Sequence, residues 1–585
     1  MTALRPLGSA PLGARLRRDP TGRPVGVAGP EEGPLFFAVE IEALQPGTAA
    51  VAENRGMAAR PMGALARRLA SREVTTTLRA SDVGYRTRAA DAPGVVVYPP
   101  LLDSGFQVDR ELGLAPAEAA QSFAWGTATL INAERRWDGV ARGFNADGRR
   151  ARVLAGRRTL DPVREIWLDP PYAEMREVFA GIAQPWSLTE EQLQVPLRDA
   201  GYWIERPLQM ARYAGTGDYE GTADMAGQLK PKVRGGAPGA PVRQVTPRLI
   251  DPVRQIYQVS DGPITVAALY EAGDPTNITL SGDVSDLLTG QPPLGQYRTC
   301  NARGCFQLRS KPAGPITVDC TGAFPLGGMA STAAAIARFL LLEEMQLPAA
   351  FLDEASFLGL DAAFAFPAGW CWTEETDGAQ AVALLLASVG ARMAPTRTGR
   401  LRALPLARLP AGARPVATYT ATEIISVVPR PLPAPLWPPP AAWQVGWGRN
   451  FTVQNTGLDP DVQNTTLAAD LAQEWRQASA SSTDVLLGWR RPSQPPLVQT
   501  ALTRFDGAGA LAASLRDLWC QRRPVEAYDV TLPAGMALRH ELGEAVVIAY
   551  PLGDLDGGRL GQVVGDKMRA GEPTGQFTVL LEPRA

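Results

Sequence analysis

The chain contains a single histidine, His540, within the segment MALRHELGEAVV. Imidazole is the side chain best suited to acid–base work near neutral pH, so a Ser-His-Asp triad would have to use this residue. A zinc site with several histidine ligands is excluded by the count alone. No G-x-S-x-G segment accompanies the histidine. We therefore expect His540 to be an exposed structural residue at the start of a strand, and we predict no catalytic residues.

Cysteine thiolates are the other candidate ligands. The odd number of cysteines, five, together with an N-terminus that does not resemble a signal peptide, favours free thiols in a reducing compartment. Four thiolates can hold an iron–sulfur cluster or a soft metal ion, but the spacing here fits no standard template. Buried thiols packed among apolar side chains are the favoured interpretation, and a metal site is the alternative. The candidate ligands are Cys300, Cys305, Cys320 and Cys371, and the fifth cysteine is Cys520.

Two further segments partly match ligand-binding loops. GTGDYEG, with Gly215, Gly217 and Gly221, misses the dinucleotide-binding spacing by one residue and is not framed by a βαβ unit. GDLDGGRL carries Asp554 and Asp556 at alternate positions but lacks the remaining oxygen ligands of a calcium loop. We interpret both segments as glycine-supported turns, and we predict no cofactor.

Composition limits the class of protein that could position such residues. The 585 residues are 45% hydrophobic and 20% charged, as in folded soluble proteins. With 58 basic and 60 acidic side chains, the net charge of -2 gives no long-range attraction for nucleic acid. No apolar run is long enough for a membrane-spanning helix. The abundance of proline (52) and glycine (58) favours many short strands joined by turns.

The pattern of strands, helices and breakers predicts a mainly β protein with α+β insertions, built from several domains. LFFAVEIEAL, EVTTTLRASDVGYRT and GVVVYPP are typical of strands, and the Asp-Gly pairs at Asp138 and Asp147 favour hairpin turns. STAAAIARFLLLEEM and DGAQAVALLLASVG have helical periodicity. The predicted units are an extended arm (1–30), a barrel-like domain (31–210), a Gly/Pro loop or seam (211–250), a second β domain (251–325), an α+β domain (326–428), a proline-rich connector (429–442) and a C-terminal α+β domain that ends in barrel strands (443–585).

Several segments, in this order, resemble the tail-tip or baseplate hub proteins of tailed bacteriophages and gene transfer agents. They begin with TTLRASDVGYRT and DAPGVVVYPPLL, and continue with LKPKVRGGAPGAPVRQVTPRLID leading into IYQVSDGPI. GCFQL with PAGPITVDCTG follows, and EAVVIAYPLGDLDGGRLGQVVGD closes the series. A glycine commonly precedes Lys-Pro in such proteins, whereas this chain has leucine there.

The resemblance implies an assembly role without catalytic residues or cofactors. Hub proteins form rings of β-barrel domains, commonly homotrimers, at the distal tip of the tail. They join the tail tube and distal tail protein to fibre or spike components, beside the tape-measure protein. DNA passes through the lumen without sequence-specific binding. The resemblance therefore implies a virion protein that is assembled in the host cytoplasm.

A basic, proline-studded segment leads into the second strand series. We predict that residues 230–247 form an ordered seam between two barrel-like domains and contact a neighbouring subunit, because a stiff loop loses little entropy on docking. A phosphate-binding loop and an interdomain hinge are the less favoured alternatives. The candidate contact residues are Lys230, Lys232, Arg234 and Arg243.

Two other functions compete with the structural role. A receptor- or glycan-binding tail protein would use exposed tryptophans as sugar platforms, although most tryptophans of a β-rich chain are buried. A tail-borne cell-wall hydrolase ranks lowest, because the chain has only one histidine. The candidate platforms are Trp137, Trp186, Trp370, Trp372, Trp437, Trp443 and Trp447.

Overall fold

A computed structural model describes residues 33–45, 74–116, 122–161, 163–208, 211–322 and 330–583. The predicted arm, residues 1–30, lies outside these ranges. Strands far outnumber helices in the described chain and form several separate sheets. The prediction of a mainly β, multi-domain fold is confirmed. Within the described residues, no helix has the length and apolar character needed to cross a bilayer.

The first region, residues 33–208, is built around a long antiparallel sheet. Its strands follow the order β2-β1-β9-β12-β14-β8-β5, and side chains of β1 such as Phe37, Val39 and Ile41 enter the core. The elements are β1 (Leu35–Gln45), β2 (Val74–Ser81), β3 (Tyr85–Arg86), β4 (Val97–Tyr98), β5 (Leu102–Ser104), β6 (Gln107–Glu111), β7 (Ser122–Ala124), β8 (Thr127–Ile131), α1 (Asp138–Gly143), β9 (Arg149–Arg157), β10 (Thr159–Asp161), β11 (Ile166–Leu168), β12 (Arg176–Ala183), β13 (Ser187–Leu188) and β14 (Gln192–Arg198).

The two Asp-Gly pairs of this region behave differently. Asp147-Gly148 forms a turn with Gly148 at φ 71°, and β9 follows it. Asp138-Gly139, predicted as a hairpin turn, instead begins helix α1, so that prediction is wrong. Asp138 accepts a hydrogen bond from Asn132, and an acidic side chain in the first turn of a helix is favoured by the helix dipole.

The second region, residues 211–322, forms two five-stranded sheets together with β24 (Gly369–Trp372) of the third region. The orders are β16-β23-β15-β24, with β19 on β23, and β17-β18-β22-β21-β20. The predicted loop or seam therefore supplies two strands, β15 and β16, to the first of these sheets. The elements are β15 (Lys232–Gly235), β16 (Val242–Val245), β17 (Arg248–Asp251), β18 (Ile256–Gln258), β19 (Ile264–Glu271), β20 (Thr279–Asp283), β21 (Gln296–Cys300), β22 (Cys305–Leu308) and β23 (Ile316–Gly322).

The third region carries the predicted helices. The Thr332 side chain caps α2 and the Asp377 side chain caps α4, each accepting a backbone N–H bond. The predicted hairpin after α4 is present, with Gly399 at φ 81° in its turn. The elements are α2 (Ala333–Phe339), continued by a π-helical turn (Leu340–Glu344), α3 (Glu354–Ala363), β24 (Gly369–Trp372), α4 (Gly378–Ala387), β25 (Ala391–Pro395), β26 (Leu401–Pro405), β27 (Ala417–Thr420) and β28 (Ser426–Arg430).

The last region packs helix α7 against a three-stranded sheet, β30-β29-β31, and then closes the chain with long strands. The elements are β29 (Ala442–Trp447), α5 (Thr466–Leu471), β30 (Arg476–Ser481), α6 (Asp484–Gly488), β31 (Val498–Gln499), α7 (Phe505–Trp519), β32 (Ala527–Pro533), α8 (Ala534–Ala537), β33 (Ala545–Ala549), β34 (Arg559–Arg569) and β35 (Thr574–Leu581).

The closing sheet joins β6 and β7 of the first region to strands of the third and last regions. Its order is β27-β33-β34-β35-β32-β28, and β6 pairs with β34 and carries β7. Gly565 lies opposite Glu111 in this register, and Arg569 lies opposite Gln107. Strands from three of the predicted units thus share one sheet. Local sequence patterns do not reveal this pairing, because the paired segments are far apart in the chain.

Candidate functional site

His540 is a core residue. It is 2% exposed, its Nδ1 lies 2.7 Å from the Tyr419 hydroxyl, and its ring packs 4.4 Å from the Phe577 ring centroid. Burial, with the positive charge of Arg397, lowers the pKa of His540 to about 4, so the ring is neutral at pH 7. The prediction of an exposed histidine at a strand start is wrong. Tyr419 of β27 and Phe577 of β35 enclose the imidazole ring. The sequence around His540 does not indicate these partners, because they come from distant segments.

A buried ion cluster next to His540 connects distant segments. Arg110 of β6 is fully buried, and its guanidinium lies 2.5 Å from carboxylates of both Asp566 on β34 and Glu541. Burial alone raises the pKa of Glu541, but Arg110 and Arg397 outweigh it and lower the pKa to about 2. Removing one partner of such a cluster leaves an uncompensated buried charge, which costs about 3–5 kcal/mol. The cluster therefore fixes β6 in the closing sheet.

Two of the predicted contact residues, Lys232 and Arg234 on β15, form a second buried ion cluster. Lys232 Nζ lies 2.7 Å from Glu344 and 2.8 Å from Asp261, and Arg234 pairs with the same two carboxylates. Burial lowers the pKa of Arg234, but the two carboxylates outweigh burial and raise it. These charges are neutralised inside the chain and link the second region to the end of the π-helical turn.

The other two predicted contact residues are also paired within the chain. Lys230 Nζ lies 2.7 Å from Glu220 and 5.3 Å from the centre of the Tyr213 ring. Arg243 lies 2.6 Å from Asp470 and donates to Asn450. In the 230–247 segment, the exposed residues are Pro238 and Gly239, in the turn between β15 and β16, and Thr246. A contact between this seam and a neighbouring subunit stays a prediction.

The four candidate thiols lie in two separate apolar clusters. Cys300 and Cys305 are cross-strand partners on β21 and β22, whereas Cys320 and Cys371 lie in the core around Val318. Burial raises the pKa of Cys305 and of Cys371 to about 12, so both are protonated thiols at neutral pH. Cys520, also buried, belongs to the large core that α7 helps to form.

Among the described residues, three carboxylates that could together hold a metal ion lie at one place. Oxygens of Asp274, Asp459 and Asp461 lie within 4.8 Å of one another. Asp274 accepts from the Thr276 backbone and hydroxyl, and Asp459 accepts from the Asp461 backbone and from Asn277. These bonds close two facing turns, so a structural role accounts for the arrangement. Asp554 forms an ion pair with Arg559, at 3.3 Å.

The tryptophans singled out as sugar platforms are mostly core or half-buried. Trp137, Trp372 and Trp443 are buried. Trp370 is half-buried, and the Arg449 guanidinium lies 5.0 Å from the centre of its ring. Trp186 and Trp447 are also half-buried, whereas Trp437 is 48% exposed. The exposed face of Trp437 is therefore the strongest platform of the set.

An exposed apolar hairpin was missed by sequence reasoning. We call β10 and β11 with the described residues of their turn, 159–161 and 163–168, the apolar hairpin. The Asp161 carboxylate accepts from the backbone of Val163 and Arg164 and closes the turn. Val163 is 88% exposed, and the other exposed apolar side chains of the hairpin are Leu160, Ile166, Trp167 and Leu168. Exposed apolar side chains clustered in this way mark a contact surface.

The same sequence pattern occurs a second time, in a different environment. LDPVREIWL of the apolar hairpin matches IDPVRQIYQ at 250–258, which forms β17 and β18 with their turn. We call residues 248–258 the sheet hairpin. Its β18 pairs with β22, and Ile256 and Tyr257 are buried, with the Tyr257 ring stacked on Phe306 at 5.2 Å. This repeat was the signal that could have directed attention to the apolar hairpin.

No protein-family model and no curated protein matches the chain. Solved structures are similar at low levels. A tail protein from Neisseria meningitidis MC58 has 9% identity and a TM-score of 0.32, with 93% of this chain and 96% of that chain covered. A 43 kDa tail protein of prophage MuSo2 from Shewanella oneidensis has 9% identity and a TM-score of 0.31, covering 84% and 97%. A chain of a native gene transfer agent virion has 12% identity and a TM-score of 0.31, covering 61% and 85%. At these TM-scores the similarity carries no argument about function.

Proposed function

We propose that this chain is a structural protein of a phage-like tail, and that it acts as the hub of the tail tip. The observation that carries the proposal is the apolar hairpin, whose five apolar side chains face solvent in the single chain. The ordered segments that resemble hub proteins support it. In this role the protein functions through its surfaces, which bind other copies of the chain and neighbouring tail proteins.

The detailed proposal is a closed homotrimeric ring on the tail axis. The ring joins the tail tube and the distal tail protein to fibre or spike components, contacts the tape-measure protein, and frames the DNA exit channel at the distal tip of the virion. A net charge of -2 suits a channel through which DNA passes without being held. The buried ion clusters at Arg110 and Lys232 suit a rigid subunit, because each ties strands to distant segments.

The sheet hairpin gives the physical reason for expecting a partner on the apolar hairpin. Where this sequence has a neighbouring strand, its Ile256 and Tyr257 are buried against a sheet. The equivalent Ile166 and Trp167 have no such cover within the described chain. Their burial by another copy would remove apolar surface from water at about 25 cal/mol per Å². We therefore assign the apolar hairpin to a contact between subunits.

Two measurements test the proposal: the mass of the purified chain in solution, and the location of the chain in particles. We expect an oligomer by mass photometry, and the double variant Val163→Asp/Ile166→Asp should convert it to monomers, because both charges would have to be buried at the contact. The matched control is Leu249→Asp/Val253→Asp, which adds the same charges to exposed positions of the sheet hairpin and should leave the oligomer intact.

Two results would contradict the proposal. One is a wild-type chain that stays monomeric at the highest soluble concentration. The other is an oligomer that the hairpin variant leaves unchanged. In particles, a labelled chain should be present at three copies on the tail axis, and a peripheral location with independent cell binding would instead indicate a receptor binder. Exposed Trp437 is the observation that favours this alternative.

A further inference from the structure

A second exposed surface combines apolar and basic side chains around helix α6. Leu486 and Leu487 protrude from this short helix, and Leu487 is 72% exposed. Val485, on the opposite side, is fully buried and anchors the helix to the core. The leucines are therefore held in solvent by a helix that is itself fixed in place.

Two tryptophans lie beside these leucines. Trp489 follows α6 directly and packs edge-to-face on Trp437, with ring centroids 5.2 Å apart. The Trp489 indole donates a 3.1 Å hydrogen bond to the Arg522 carbonyl oxygen. This bond brings the 522–523 segment next to α6, as does the close approach of the Arg522 side chain to Gly488.

Four exposed arginines surround this apolar centre: Arg490, Arg491, Arg522 and Arg523. Among the residues that the structure describes, none of the four makes an ion pair, although most of the other described arginines do. Asp484 is the one acidic residue of the 484–491 segment. We call the eight residues Trp437, Leu486, Leu487, Trp489, Arg490, Arg491, Arg522 and Arg523 the arginine–leucine patch.

We propose that the arginine–leucine patch binds the surface of an anionic lipid bilayer. Protruding leucines enter the boundary between headgroups and acyl chains, and tryptophans favour the same depth. Unpaired arginines bind lipid phosphates, and anionic lipids attract basic side chains close to the surface. Charge complementarity thus selects the partner, because the patch concentrates four positive charges on a chain whose overall net charge is only -2. This inference goes beyond the proposed hub role and does not depend on it.

Nucleic acid is the other polyanion that four arginines could bind. Phosphate contacts would use the guanidinium groups and the tryptophan rings but would leave Leu486 and Leu487 in water. The leucines are the most exposed apolar side chains of the patch. A lipid surface uses all eight residues, and for this reason it is favoured.

The test is flotation of the purified full-length chain with lipid vesicles. We expect binding to vesicles in which one third of the lipid is phosphatidylglycerol to be about tenfold or more tighter than binding to pure phosphatidylcholine, and to weaken with salt. The variant Arg490→Gln/Arg491→Gln/Arg522→Gln/Arg523→Gln should lose this preference. The variant Leu486→Ser/Leu487→Ser should lose most of the binding while keeping all four charges.

A charge-matched control separates the patch from general electrostatics. Arg86, Arg309, Lys311 and Arg414 are exposed, belong to other parts of the chain and make no ion pair within the described residues. Their joint replacement by glutamine should leave vesicle binding unchanged. The proposal is overturned if the anionic vesicles are not bound, if either patch variant binds like wild type, or if the control quartet loses binding equally. DNA binding that depends on the arginines but not on the leucines, without vesicle binding, would assign the patch to nucleic acid instead.

Discussion

The apolar hairpin and the sheet hairpin place nearly the same sequence in opposite environments. Both turns are closed by an aspartate that accepts two backbone N–H bonds, Asp161 in the first and Asp251 in the second. In both registers this aspartate lies opposite an isoleucine. The residue before that isoleucine has positive φ in each, 53° at Glu165 and 54° at Gln255. The local sequence thus fixes the turn, whatever surrounds it.

What differs is the neighbour of the second strand. In the sheet hairpin, β18 lies between β17 and β22, and its apolar side chains, Ile256 and Tyr257, contribute to two hydrophobic clusters. In the apolar hairpin, β10 and β11 pair with each other and with no other strand among the residues that the structure describes. An isolated two-stranded hairpin is marginally stable in water. The comparison therefore indicates that the apolar hairpin carries side chains suited to a covered strand, whereas no neighbouring strand covers them within the described part of the chain.

The largest expected difference between the hairpins is in folding stability. Ile256→Asp places a carboxylate in a fully buried position and should destabilise the chain by about 4 kcal/mol or more. Ile166→Asp, in the matched position of the apolar hairpin, should change the free energy of unfolding by no more than about 0.5 kcal/mol. Urea unfolding of both variants, at a concentration where the chain is monomeric, measures the two values. Equal destabilisation would mean that Ile166 is already buried in the single chain.

The next largest expected difference is in how much each turn aspartate contributes to folding stability, and this contribution depends on pH. Burial alone raises the pKa of Asp251, but hydrogen bonds from the Arg254 backbone and side chain and from the Val253 backbone outweigh burial and lower it. The carboxylate therefore stabilises the fold above the unfolded-state pKa of about 3.9, and this contribution is lost as the pH falls through the lowered folded-state pKa.

Asp251→Asn should consequently destabilise the chain by roughly 1–3 kcal/mol at neutral pH, and the deficit should shrink as the pH falls below about 4. Asp161→Asn is the matched control, and it should leave global stability nearly unchanged, since the apolar hairpin contributes little to the core. Urea unfolding at neutral and acidic pH distinguishes the two. A deficit for Asp251→Asn that persists undiminished in acid would show that the charge is not the cause.

Sequence patterns predict those parts of the structure that short segments determine. The helices at 333–344 and 378–387, and the hairpin turn at Gly399, follow from periodicity and turn residues. The pairing of β6 with β34 does not, because the partners Arg110 and Asp566 are 456 residues apart and meet through tertiary packing.

The same limit explains the candidate sites. Lys232 and Arg234 have the sequence context of a solvated loop, yet Asp261 and Glu344 neutralise them in the interior. His540 is enclosed by Tyr419 and Phe577, which come from other strands. A single sequence gives the type of each side chain but not its partner. The apolar hairpin could have been predicted from the sequence, because its sequence pattern occurs a second time in the chain. Its exposure to solvent could not have been predicted in this way.

The smallest expected effect is also the most specific. Val163 and Val253 occupy the same position of the two turns, and each is 88% exposed. Val163→Ser and Val253→Ser should therefore both leave the free energy of unfolding unchanged to within about 0.5 kcal/mol. If subunits meet at the apolar hairpin, Val163→Ser should weaken association by roughly fivefold, because about 1 kcal/mol of apolar burial is lost per contact. Val253→Ser should leave association unchanged, so equilibrium sedimentation of the two variants side by side assigns the contact to one hairpin. A weakening confined to Val253→Ser would reverse the assignment, since the two side chains have the same exposure and differ only in the hairpin that carries them.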